Sequence, residues 1–196
     1  MKIVVVGGTG TIGAAVVQAL SERHEVVVAT RHTDPSVDIE DPASIEALYD
    51  ALPGLDAVVC TAGAAAFGKL SELSDEDFAL GLRSKLMGQV NLVRLGLSRL
   101  NEGGSFTLTS GVLAVRPIPG SGAIALTNAA LEGFTRAAAL ETPGRVRVNV
   151  VSPPWISETL RAMGRSPSSG LPAAECARAY VEAVEGTQSG HVLCPE

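Results

Sequence analysis

Lys2-Ile3-Val4-Val5-Val6-Gly7-Gly8-Thr9-Gly10-Thr11-Ile12-Gly13 is the stretch on which the fold turns. A β-branched run breaks into glycines three residues apart and an Ala/Val-rich helical stretch follows, so strand, tight turn and helix are expected in that order. Each glycine answers a separate demand. Gly7 permits a backbone turn closed to other residues, Gly10 lets a pyrophosphate approach the main chain, and Gly13 lets the helix pack on the strand with its free N–H groups facing the phosphates. The pattern reads as a nucleotide-cradling turn, with a purely structural tight turn as its alternative.

Working outward, strand-like and helix-like stretches alternate along the chain. Glu25 to Thr30 reads as a second strand and Val37 to Ile39 as a short third one. Asp41-Pro42 then caps and starts a helix, the carboxylate taking orphan N–H groups while proline fills the first turn. Leu55 to Thr61 is the fourth strand. Ser74 with Asp77 makes a capping-box start for a long helix, along which Phe78, Leu82, Leu86, Val90, Val93 and Leu97 recur at intervals of three and four as a core or subunit-interface stripe. Ser105 to Thr109, Arg145 to Val151 and Gly190 to Cys194 complete the strands, with helices over Gly122 to Leu140 and Ala173 to Val184. No linker or repeat divides the chain. The expectation is one α/β domain over residues 1–196, a three-layer doubly wound parallel sheet of the Rossmann kind, with ligands beyond the carboxyl ends of the strands.

Composition narrows the function classes. Of 196 residues 46% are hydrophobic, 4% aromatic and 18% charged, a balance suited to parallel strands buried on both faces by small-residue helices. The net charge of −6, without a basic run, offers no field for a polyanion, so nucleic acid is not an expected partner. No apolar run reaches the ~18 residues of a membrane span, and the five-residue apolar start is not read as a signal peptide. Cys60, Cys176 and Cys194 lack metal-ligand spacing and His24, His32 and His191 are scattered, so no metal is expected; unpaired thiols suit a reducing cytoplasm.

Cofactor choice is argued from charge at the end of the second strand. A carboxylate there grips the ribose hydroxyls of NAD and repels a 2′-phosphate, but this chain offers Ala29-Thr30-Arg31-His32-Thr33. Arg31 can hold a phosphate through paired donors, with Thr9, Thr30 or Thr33 supplying hydroxyls, which favours NADP(H); the plain alternative is a solvated surface arginine.

Several segments together resemble the short-chain dehydrogenase/reductase family over essentially the whole chain. They are the glycine turn, Asp38-Ile39, Cys60-Thr61-Ala62-Gly63 where the family has Asn-Asn-Ala-Gly, Thr109-Ser110-Gly111, Asn128-Ala129-Ala130-Leu131-Glu132-Gly133-Phe134, and Arg147-Val148-Asn149-Val150-Val151-Ser152-Pro153. The resemblance implies cofactor contacts at Gly7, Thr9, Gly10, Thr11, Ile12 and Arg31. It puts Asp38 and Ile39 beside the adenine, Ala62 and Gly63 over the ribose, Asn128 at a ribose hydroxyl, and Pro153 with Ile156 along the nicotinamide-side loop. Asp38 is equally readable as a turn residue.

The departures from that pattern bear on chemistry. Typical members use a Tyr for the proton, a Lys four residues on to lower its pKa and hold the ribose, a Ser to polarise the carbonyl and an Asn to support a water relay. Here Ile124 stands at the Tyr position and Asn128 at the Lys position, and neither moves a proton. Ser110 matches the Ser, and Lys85 occupies or adjoins the Asn. These two are the catalytic candidates. Ser110 could instead satisfy backbone groups at a strand end, and Lys85 could reach solvent or pair with a carboxylate. Arg116, on the ligand side, is a candidate for an anionic substrate or an ordinary loop cation.

Three readings follow. The resemblance implies an NADP(H)-dependent oxidoreductase for a small carbonyl or alcohol with an atypical active site. A non-redox enzyme (isomerase, lyase or cyclase) and a catalytically silent NADP(H) sensor remain alternatives. The segment near 155–172 is expected to be a short, mobile substrate lid. Helical small-residue faces and the resemblance together imply a homodimer or homotetramer.

Overall fold

Ile3, Val4, Val5 and Val6 are all buried, the first and third of them in one hydrophobic cluster and the second and fourth in another. Alternate side chains of a strand point to opposite faces, so this strand is covered on both sides, as parallel sheets require. In the computed structural model, which describes residues 1–196, it is β1 (Lys2–Val6). With β2 (Glu25–Ala29), β3 (Leu55–Cys60), β4 (Leu100–Thr109), β5 (Val146–Val151) and β6 (Val192–Leu193) it forms one six-stranded parallel sheet in the order β2-β1-β3-β4-β5-β6.

The helices divide between the faces. α1 (Thr11–Ser21) and α7 (Ala173–Glu185) cover one side through Val16, Leu20, Ala177 and Tyr180. α2 (Pro42–Ala51), α4 (Gly88–Gly96) and α5 (Gly122–Glu141) cover the other through Ile45, Leu48, Tyr49, Leu92, Val93 and Leu131. The three layers and single sheet agree with the sequence expectation. So do two helix starts: Asp41 accepts from the Ala43 N–H at 2.9 Å, and Ser74 and Asp77 form the reciprocal box that begins α3 (Asp75–Leu80).

Two elements differ from expectation. Val37 to Ile39 is not a strand; a single bridge between Thr30 and Ser36 is all that joins this segment to the sheet. Val37 and Ile39 are buried instead as loop residues beneath α2 and α4, and such short apolar runs have no periodicity to tell strand from packed loop. The long helix is also not uniform. Between α3 and α4 the chain winds through one π-helical segment, Gly81–Met87. Across the wider winding Leu82 leaves the core face and is 38% exposed, while Gly81, Ser84, Gly88 and Leu92 turn inward; of the rest of the Phe78–Leu97 stripe, Val93 is buried in the core and Leu86 and Leu97 pack against it.

Candidate functional site

The sheet order reverses direction about β1 and β3, and the loops leaving their carboxyl ends touch. Gly7 holds φ +82°, and a Cβ there would lie 2.8 Å from the Ala62 nitrogen. A Cβ on Gly13 would overlap the Gly7 carbonyl oxygen and lie 2.7 Å from Thr61 Oγ1. Thr61 Oγ1 donates to the carbonyls of Val6 (3.2 Å) and Gly7 (3.1 Å), locking the turn. Gly10 N–H donates to Gly7 O at 3.0 Å, and the first helical bond runs from Ala14 N–H to Gly10 O. The preceding N–H groups of Thr11 to Gly13 have no intrahelical partner, and α1 starts with no side-chain cap and no acid in its first turn. Uncapped donors at the positive end of an 11-residue helix, over a glycine cradle at the crevice of a doubly wound sheet, fit a dinucleotide pyrophosphate. Thr9 stands exposed beside them and Ile12 is partly buried against the core.

On the β2 side, Arg31 is exposed and in no ion pair. The threonines around it are already engaged. Thr33 Oγ1 accepts from Thr30 N–H (2.7 Å) and donates to Pro35 O (2.9 Å), while Thr30 Oγ1 accepts from His32 N–H (3.1 Å). They shape the turn that presents the guanidinium. Asp38 Oδ1 likewise closes a turn by accepting from Glu40 N–H at 3.0 Å, and Ile39 packs its side chain against Gly88.

On the β4 side the chain end Thr109-Ser110-Gly111 is gripped by four side chains. Gln89, fully buried, accepts from Thr109 N–H (2.8 Å) and donates to Thr109 O (3.0 Å). Lys85 Nζ donates to Ser110 O (3.2 Å), and Asn128 Nδ2 donates to Gly111 O (3.3 Å). Ser110 Oγ donates to Glu132 Oε1 (3.1 Å), as does Ser152 Oγ (3.2 Å), with Arg136 3.7 Å from the other carboxylate oxygen. The Ser110 hydroxyl is thus engaged with a buried carboxylate rather than held ready for a carbonyl. Gly111, the next residue, faces Asn128: a Cβ there would lie 3.0 Å from Nδ2. Asn128 is 3% exposed and its Oδ1 is a buried acceptor with no partner.

Lys85 lies within the π segment. Gly63, at φ +136°, comes so close that a Cβ would sit 2.9 Å from Lys85 Cα, and Ser84 Oγ accepts from Ala64 N–H at 3.1 Å. Lys85 is half-buried as a residue, and burial about its ammonium lowers its pKa from 10.5 to about 8. It pairs with no carboxylate. The nearby Cys60 thiol is pushed by burial up to about 12 and supplies no thiolate to balance it. Ile124, partly buried, brings no polar atom to this end of α5.

The Trp155–Pro172 segment, expected as a substrate lid, carries secondary structure and hydrogen bonds of its own. α6 (Ser157–Ala162) lies in it, Ser157 Oγ is 2.8 Å from both Pro167 O and Gly170 O, Leu171 N–H donates to Trp155 O (2.8 Å), and Glu158 Oε2 accepts from Ala173 N–H (3.1 Å). Pro153 and Ile156 at its root are buried, and Pro153 O accepts from Val112 N–H at 2.9 Å. Arg116 is exposed on the loop after β4. Gln89, Glu132 and Ser152 escape a sequence reading; the one hint is a Gln and a Glu on otherwise apolar helical faces, four residues beyond Lys85 and Asn128.

Comparison with known proteins agrees with this geometry. Lin1944 from Listeria innocua superposes with TM-score 0.94 at 40% identity, over 99% of this chain and 98% of its own. A small-chain dehydrogenase in complex with NADPH superposes with TM-score 0.88 at 29% identity, over 100% and 96%. Versicolorin reductase stcU of Emericella nidulans is 28% identical over 179 residues, 78% of this chain and 68% of that protein. A family model described as enoyl-(acyl carrier protein) reductase matches residues 4–184, and with the doubly wound sheet and its glycine turn this shows that the chain belongs to the short-chain dehydrogenase/reductase family of oxidoreductases.

Proposed function

We propose that this protein is an NADP(H)-dependent oxidoreductase acting on a small carbonyl or alcohol, with Lys85 in place of the family's tyrosine as proton donor. The observation that carries the reading is the enclosed Lys85 ammonium at the Ser110 carbonyl, on the ligand side of a sheet whose glycine cradle and uncapped α1 fit a dinucleotide. Gly7, Thr9, Gly10, Thr11 and Ile12 hold the pyrophosphate. Arg31 takes the 2′-phosphate, with no carboxylate at the end of β2 itself and Asp34 the acid of the following turn, and the NADPH complex of a 29% identical dehydrogenase supports that choice. Asp38 and Ile39 flank the adenine, and Ala62 and Gly63 close over the ribose. The partnerless Oδ1 of Asn128 accepts from a ribose hydroxyl, and Pro153 and Ile156 bound the nicotinamide side.

When bound, reduced nicotinamide supplies a hydride to the substrate carbon. The residues manage the other half of the reaction. The Lys85 ammonium donates to the carbonyl oxygen and transfers its proton as negative charge gathers there; the resulting amine is reprotonated from solvent. A pKa of about 8 suits a general acid near neutrality. Ser110, with its hydroxyl on Glu132, acts in the site by presenting its carbonyl to Lys85. The 155–172 segment covers the substrate side, and pairing of α4 and α5 faces in a homodimer or homotetramer completes the assembly.

The test is incubation with NADPH and a carbonyl panel, following the reduced-nicotinamide absorbance. Oxidation that Lys85→Met lowers at least a hundredfold supports the reading; turnover untouched by that change refutes the Lys85 role. A second reading, an NADP(H) sensor or a non-redox enzyme such as an isomerase, lyase or cyclase, is favoured by one observation: Ile124 and Gly111 place no proton donor where α5 faces the β4 end. Tight NADPH binding without oxidation across the panel selects it.

A further inference from the structure

The site holds one more unusual feature, an enclosed positive charge with no counter-ion. Desolvating a cation without a partner is costly, and the cost persists until something compensates it. The groups facing Lys85 do not. From β3, Cys60 is kept a neutral thiol by burial. From the β4 end, Ser110 offers only its carbonyl oxygen. Glu132 on α5, across Ser110, is shared by the hydroxyls of Ser110 and Ser152 and by Arg136. Asn128, also on α5, contributes an uncharged amide. The charge therefore acts on whatever occupies the crevice.

This inference rests on the cofactor reading above. Arg31 beyond β2 and the cradle at β1 take the phosphorylated half of a dinucleotide, so its other half lies over β3 and β4, where Lys85 stands against Gly63 and Ser110. The nicotinamide ring is cationic when oxidised and neutral when reduced. We infer that Lys85 makes this site distinguish the two redox states, holding NADPH in preference to NADP⁺ because the oxidised ring meets an unbalanced, enclosed ammonium. Coulomb repulsion between two unit charges in a partly dry site amounts to tenfold or more in affinity on the order-of-magnitude scale for protein interiors. The enzyme would then shed oxidised cofactor readily and run reductively, and a catalytically silent version would report the reduced pool.

Dissociation constants of the full chain for NADPH, NADP⁺ and 2′-phospho-ADP-ribose, which lacks the nicotinamide, test this without any turnover. The wild type is expected to bind NADPH at least tenfold more tightly than NADP⁺. Lys85→Met and Lys85→Gln should bring that ratio close to one while leaving 2′-phospho-ADP-ribose binding within about twofold, and Lys85→Arg should retain the discrimination. Equal binding of both redox forms by the wild type, or a ratio that survives Lys85→Met and Lys85→Gln, overturns the inference while the cofactor reading stands. Failure of all three probes to bind removes the cofactor reading and the inference with it.

Discussion

Replacing Lys85 by methionine should stabilise the ligand-free protein near neutrality, and the amount follows from the site. Burial takes the ammonium from its ordinary 10.5 to about 8. That displacement of roughly 2.5 pH units, at 1.36 kcal/mol each, is about 3 kcal/mol of folding free energy. The sign follows from proton counting. Below pH 8 the lysine is charged in folded and unfolded chains alike, and the folded state carries the full burial cost. Between pH 8 and 10.5 the folded chain has released the proton while the unfolded chain keeps it, so stability attributable to this residue rises with pH; above 10.5 the cost is gone. Lys85→Met preserves the stem's volume and removes the charge. Urea denaturation of both proteins at half-unit steps from pH 7 to 10.5 gives the difference directly, and subtraction cancels the opposite slope that Cys60, raised towards 12, imposes on both. The variant's stability relative to the wild type should fall by about 3 kcal/mol between pH 7 and 10.5, on top of an offset from packing and from the lost Lys85–Ser110 hydrogen bond. A difference that stays flat to within about 1 kcal/mol over that range would refute the claim that the ammonium is enclosed and uncompensated.

Arg31→Glu should weaken NADPH at least tenfold relative to NADH in a fluorescence titration, since a phosphate contact of roughly 1.5–3 kcal/mol becomes a repulsion. Gly13→Ala places a methyl on the Gly7 carbonyl and should abolish binding of all dinucleotides and lower Tm by several degrees. Ser110→Ala removes one of two hydroxyl donors from the buried Glu132, an expected loss of about 1–3 kcal/mol in denaturant, with NADPH affinity within a few fold of wild type. Glu132→Leu leaves Ser110 and Ser152 hydroxyls without their acceptor and should cost more than Glu132→Gln, which keeps an acceptor oxygen and loses only the distant Arg136 contact.

What was legible in the sequence is what local chemistry dictates. Valine runs broken by glycine, Asp41 before Pro42 and Ser74 before Asp77 each force their conformation through neighbours in the chain, and the structure has them where they were expected. The misreadings arise where distant contacts decide. Val37 to Ile39 is apolar enough for a strand but too short to show its period, and packing beneath α2 and α4 won. The six-residue stripe from Phe78 assumed uniform helical winding, and nothing in Gly81 to Met87 announces a π turn, so Leu82 leaves the core face while Val93 keeps its place in it; at the π turn Gly63 and Ala64 lie against Lys85 and Ser84. The site divides in the same way. The glycine cradle could be found by motif and Arg31 proposed beside it, whereas Gln89 and Glu132 act through partners 20 or more positions away.

The exchange between positions 85 and 128 ties these observations together. The family resemblance places a lysine at 128 and an asparagine near 85; this chain has them reversed. Both side chains donate to consecutive carbonyls of the same strand end, Ser110 by Lys85 and Gly111 by Asn128, so one cation and one amide still flank that end. The formal charge of the site is thereby preserved, but its proton inventory is not. A lysine beside a tyrosine makes the phenol the acid and itself stays charged; with Ile124 in the tyrosine's place, the cation is the only group here able to give up a proton near pH 8. Donation would cost the site its charge, and the same step would remove the repulsion felt by an oxidised ring. If Lys85 both donates the proton and sets the cofactor preference, as proposed, the two would be coupled through a single atom, Lys85 Nζ, and a substitution there should alter both the pH dependence of turnover and the redox selectivity of binding.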